Sequence, residues 1–148
     1  MFKQAKLDKL AATHVRSGEV PLAGWRGLRD FSVGRFIIAS AGMGFGALGA
    51  VLTMRWQPKR YYVFITDRRV IIERLRWGLI TLRRTDEVEQ WDRSQITALE
   101  LKDYQPKWTG YKRLAFDALD GPHEILVEGA GKDTLDFQTN ASPERTQP

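Results

Sequence analysis

The sequence predicts a mainly β chain with a helical N-terminal part, an α+β architecture in which about seven short strands form an antiparallel barrel or sandwich beside one hydrophobic glycine-rich helix. Three observations lead there. Beyond Pro58, β-branched and aromatic runs recur at about 8–12 residue spacing with turn signals between them. The first residues instead repeat apolar side chains at helical spacing. Between these regions, Phe36 to Met54 is nineteen residues without a charge.

At 148 residues the chain is large enough for one domain with its own core. It divides into a helical and extended lead-in (1–34), the hydrophobic run (35–56), a β-domain (57–138) and a polar tail (139–148) expected to be disordered. The absence of cysteine excludes disulfides and thiolate metal sites, and two histidines, His14 and His123, are a poor basis for a histidine-based zinc site. Neither a metal nor a cofactor is therefore expected. The start of the chain does not read as a signal peptide, which fits a cytosol-facing protein. Net charge is +5, unevenly spread: +4 over residues 1–54, +7 over 55–84 and −6 over 85–148. Beside an anionic surface such a chain would turn its middle towards it and its last third away.

Leu7, Leu10, Ala11 and His14 fall at i, i+3, i+4 and i+7 among Lys3, Lys6 and Lys9, predicting an amphipathic helix that Ser17-Gly18 ends. Glu19 to Trp25 contains Pro21 and reads as an edge strand or extended segment. Tyr61–Ile65 and Val70–Leu75 are strands, with Thr66-Asp67-Arg68 as the tight turn of a hairpin. Trp77-Gly78 marks another turn and Leu79–Arg83 another strand; the acidic stretch from Thr85 to Arg93 reads as a loop whose Trp91 packs inward. Ile96–Leu101 alternates, Tyr104–Gly110 is a loop, and Tyr111–Leu119 runs into Asp120-Gly121, a strong hairpin signal. Glu124–Val127 and Thr134–Phe137 complete the set.

The hydrophobic run admits three readings. As a helix, Phe36–Met54 would be roughly 28 Å long, enough to span a bilayer. Trp25, Arg26, Arg29, Phe31 and Arg35 precede it and Arg55, Trp56, Lys59, Arg60, Tyr61 and Tyr62 follow it, as interfacial anchors do. On this reading Trp25, Phe36, Ile37, Ile38, Phe45, Leu48, Val51, Leu52 and Trp56 form a membrane anchor, transmembrane or membrane-associated. A single span requires residues 1–34 to lie outside the β-domain, because nineteen residues cannot cross a bilayer twice. Alternatively, Gly42, Gly46 and Ala50, four apart, make a flat stripe for a helix–helix seam, in a soluble core or between copies of the chain. Gly44, Gly46 and Gly49 also spell G-x-G-x-x-G, with Asp67 beyond, which is the order of a dinucleotide site; no further crossover helices follow to build its parallel sheet.

Residues 61–101 resemble the bacterial pleckstrin-homology-like domains: a strand enters Thr66-Asp67-x-Arg69, then come an apolar strand, a glycine turn at Gly78, a basic strand with Arg83, and a loop leading to Ile96. Gly18-Glu19 is similar to the Gly-Glu that opens many such domains, and the run at 36–54 to the glycine-rich insert of some actinobacterial members. The resemblance implies an antiparallel barrel that docks on membranes or proteins, without catalytic residues. Members usually close one barrel end with a C-terminal helix, for which the run at 36–54 is a candidate substitute.

Catalytic constellations are lacking. Asp117 with Asp120 and Asp133 with Asp136 sit beside turn glycines, and Ser40 and Ser94 have no nucleophile-elbow context. Lys59, Arg60, Arg68, Arg69, Arg83 and Arg84, interleaved with Tyr61, Tyr62 and Trp77, are the anion-binding candidates, for lipid headgroup phosphates or, as the alternative, single-stranded nucleic acid. The expectation is a non-enzymatic module at the cytoplasmic membrane with its β-domain facing the cytoplasm; the alternative is a soluble cytoplasmic protein.

Overall fold

The structure, a computed structural model, describes residues 1–29, 58–105 and 107–129, together with 32, 34, 37, 38, 41, 44 and 46–53. The elements are α1 (Gln4–Ala11), β1 (Pro21–Arg29), α2 (Gly46–Thr53), β2 (Lys59–Thr66), β3 (Arg69–Trp77), β4 (Leu82–Asp92), β5 (Thr97–Asp103), β6 (Tyr111–Ala118) and β7 (Gly121–Glu128). The seven strands make one antiparallel sheet in the order β4-β3-β2-β1-β7-β6-β5. The expectation of a mainly β chain with a helical start is met.

Strand alternation divides the apolar residues between two cores. Tyr61, Val63 and Ile65 of β2 join Trp25, Val70, Ile72, Leu114, Phe116, Ile125 and Val127 in the larger core. Phe64 and Ile71, directly paired across β2 and β3, turn to the opposite face, where Leu7 and Ala11 of α1 cover them. The N-terminal helix thus seals the second face of the sheet. Its approach depends on Gly24, where a Cβ would lie 2.7 Å from Leu7 Cδ1; at Gly27 a Cβ would lie 2.8 Å from Ile125 Cδ1 in the larger core.

Two expectations change. β1 is a central strand between β2 and β7, and Pro21 is tolerated because it is the first strand residue, where no ladder donor is lost. The acidic stretch is part of strand β4, not a loop. As an exposed edge it carries charges on both faces, the pattern that keeps an edge from recruiting other strands and that hides its periodicity. Trp91 does pack against the larger core. The predicted strand Thr134–Phe137 and the tail lie outside the described residues.

The transmembrane expectation is overturned. Among the described residues no helix is long and apolar enough to cross a membrane; α2 has eight residues, about 12 Å. Topology gives the reason. Arg29 pairs with Lys59 in the β1–β2 ladder, so both flanks of the hydrophobic run end in one sheet, on one side of any bilayer. Returning across would take two spans of about 20 residues each. The run is a connection between adjacent strands.

Candidate functional site

Glu19, Thr66, Asp67 and Arg69, four of the residues that carried the resemblance, build a node between the β2–β3 turn and the chain entering β1. The Glu19 carboxylate accepts hydrogen bonds from Arg69 Nε (2.9 Å) and Nη2 (2.6 Å), from Thr66 Oγ1 (2.6 Å) and from the Arg16 amide (2.9 Å). Arg69 also donates to the His14 carbonyl and to Gln90. Bonded first by Arg69, against the opposing cost of burial, and then by the Arg16 amide and Thr66, the Glu19 carboxyl is lowered to a pKa of about 2. Asp67 accepts from the Val20 amide at 2.8 Å and donates its own amide to the Val20 carbonyl. The node ties the β2–β3 turn to the segment entering β1. Arg69 is thereby committed to the fold.

A second node sits on the face that α1 covers. Glu73, 2% exposed, accepts from Arg84 Nε and Nη2 and lies 3.1 Å from His14 Nε2. Its pairing with Glu73 raises the Arg84 guanidinium above its ordinary value against the opposing effect of burial. Arg84 also lies over the Tyr62 ring.

The remaining candidates are split between the two ends of the β2–β3 hairpin. Arg68, 62% exposed, is in the turn between β2 and β3, with Asp67 at 3.9 Å. Lys59 and Arg60 open β2 at the other end, roughly 20 Å along the strand. That second end gathers Arg60, which pairs with Leu75, and Arg83, which stands directly opposite Arg76. The Arg60 guanidinium lies 5.5 Å from the Trp77 ring centroid, and its buried Nε has no hydrogen-bond partner. Other arginines of these strands are matched: Arg74 and Arg76 with Glu87, Arg29 with Glu89. Among the described residues, Arg60 and Arg83 have no carboxylate partner.

Of the predicted membrane anchor, Trp25 is fully buried in the larger core, whereas Ile37, Ile38 and Leu48 are exposed. Phe36, Phe45, Trp56 and Gly42 lie outside the described residues, as do the side chains of Ala50, Val51 and Leu52. Gly46 opens α2 with φ +77°, outside the right-handed region, so a seam on one uninterrupted helix does not pass through it. The dinucleotide reading needs parallel strands about its glycines, but the run joins antiparallel neighbours, and Asp67 is engaged with Val20.

Sequence reasoning missed Glu19 and Glu73 as buried partners and took Leu79 and Ile80 for strand residues. They form the β3–β4 turn, and both are exposed. An apolar pair directly after a turn glycine was the available signal. Asp120 is held below the ordinary carboxylate range by His123 and then Trp91, and Trp91 and His123 pack with Phe116. A concavity of about 320 Å³ next to that cluster includes Glu100, Asp117 and Glu124 in its lining. Among the described residues no group of three or more His, Asp or Glu is placed to hold a metal ion. The chain matches no family profile, no curated protein and no solved structure.

Proposed function

We propose that the chain is a non-enzymatic binding module of pleckstrin-homology-like architecture that docks on the anionic headgroups of the cytoplasmic membrane face. The seven-stranded antiparallel sheet and the joining of Thr66-Asp67-x-Arg69 to Gly18-Glu19 support the family reading. One observation carries the functional reading. Arg83 faces Arg76 across the β3–β4 ladder, a like-charge pair that costs stability, and Glu87 relieves only Arg76. With Arg60 at the same end of the hairpin, on the opposite face of the sheet and also without a carboxylate, the fold presents two guanidinium groups suited to phosphate oxygens.

Co-sedimentation of the full chain with anionic and with zwitterionic vesicles tests this, with single-stranded oligonucleotide as the competing ligand. Binding to anionic vesicles alone is expected. Binding to the oligonucleotide alone would replace the lipid reading with the nucleic-acid one.

A further inference from the structure

The β3–β4 hairpin closes at the Trp77–Leu82 pair, and the Gly78 amide donates to the Thr81 carbonyl at 2.7 Å. Turn positions ordinarily carry Gly, Asn, Asp, Ser or Pro. Here the tip is Leu79, 97% exposed, and Ile80, 84% exposed, with Trp77 at the neck 50% exposed. These side chains contribute little to either core. The hairpin is layered: an apolar tip, then a neck where the Arg60 guanidinium covers Trp77 and the Arg83 side chain lies against Gly78, then the strand where Arg74 and Arg76 are matched by Glu87. The order is that of a bilayer surface, with acyl chains first, an aromatic and cationic belt at the headgroups, and paired charges in water.

We infer that the β3–β4 hairpin is an insertion loop: Leu79 and Ile80 enter the acyl region of an anionic bilayer, Trp77 sits at its interface, and Arg60 and Arg83 hold lipid phosphates. The inference rests on the lipid reading above and adds the element that penetrates. Two residues beyond Trp77 give a reach of about 7 Å, the depth at which interfacial elements bury their apolar faces. Arginines without carboxylate partners at the neck favour an anionic lipid over an apolar protein groove, which would leave those charges buried and unpaired. The connection between β1 and β2 leaves the sheet at the same end, and its Ile37, Ile38 and Leu48 are also exposed.

Because the chain has no cysteine, Ile80→Cys carries a single thiol for an environment-sensitive fluorophore; Leu119→Cys, exposed in the β6–β7 turn beside Asp120, which holds Trp91 at the far end of the hairpin strands, is the control. With vesicles of phosphatidylcholine and phosphatidylglycerol, the label at position 80 should shift to the blue and be quenched by lipids brominated in their acyl chains. The label at 119 should do neither. Leu79→Ser/Ile80→Ser should weaken co-sedimentation on the order of 100-fold with unchanged circular dichroism, since both side chains are exposed. Co-sedimentation without a change at position 80 overturns the insertion and leaves the headgroup reading intact. A blue shift that grows with protein concentration and without vesicles assigns the tip to a second copy of the chain, which also overturns it. Absence of vesicle binding removes both.

Discussion

Arg69 and Glu19, fifty positions apart, meet as a buried bidentate ion pair, with Nε–Oε1 at 2.9 Å and Nη2–Oε2 at 2.6 Å. The pair fastens the β2–β3 turn to the chain entering β1, and so joins the second hairpin strand to the centre of the sheet.

Acid should therefore loosen the protein through Glu19. Its folded pKa of about 2 lies below the ordinary 4.5, so the contribution is complete above pH 4.5 and is lost as pH falls from there through about 2. The shift corresponds to about 3 kcal/mol. Urea unfolding across that window should show the loss. Glu19→Gln should be less stable at neutral pH, by about 3–5 kcal/mol with Arg69 left without its counter-ion, and its stability should depend less on pH below 4.5.

Arg84 should behave as a structural residue. Arg84→Gln leaves Glu73 buried with only His14 beside it and should destabilise by about 3 kcal/mol, measured by chemical unfolding. Removing the carboxylate as well, with Glu73→Gln, should recover part of the loss in a double-mutant cycle.

Close packing under α1 gives a third expectation. At Gly24 an added Cβ meets Leu7 Cδ1 at 2.7 Å, Phe64 Cδ1 at 3.1 Å and Phe2 Cδ2 at 3.2 Å, so Gly24→Ala must shift the buried Leu7 side chain or the helix that carries it. A cost of about 1–3 kcal/mol is expected. Trimming Leu7 in the same chain should make the two effects less than additive in thermal unfolding.

Period-two patterns, Asp120-Gly121 and the helical spacing about Leu7 were legible because local propensity and burial agree there. β4 was not, because an exposed edge strand needs no apolar alternation. Nor was the centrality of β1, since its glycines make room for Leu7 and Ile125, partners far away in sequence. The hydrophobic run looked like a span because its length and flanks satisfy the local rule. What excludes a single crossing is the long-range pairing of Arg29 with Lys59. The cations were legible as a group, but not their division: which arginine meets a carboxylate depends on strand pairing, and the irregularity between β3 and β4 brings Glu87 to Arg74 and Arg76 while the register sets Arg83 opposite Arg76 without one.

That division gives the most direct test. Arg60→Gln/Arg83→Gln and Arg74→Gln/Arg76→Gln remove the same charge, the first pair from residues without carboxylates and the second from residues paired with Glu87. Dissociation constants for phosphatidylglycerol-containing vesicles at physiological salt should rise about 30-fold for the first variant, at about 1 kcal/mol per cation. The second should change only a few-fold. Equal losses would mean that net charge alone brings the protein to the membrane, and would contradict a docking surface built on Arg60 and Arg83.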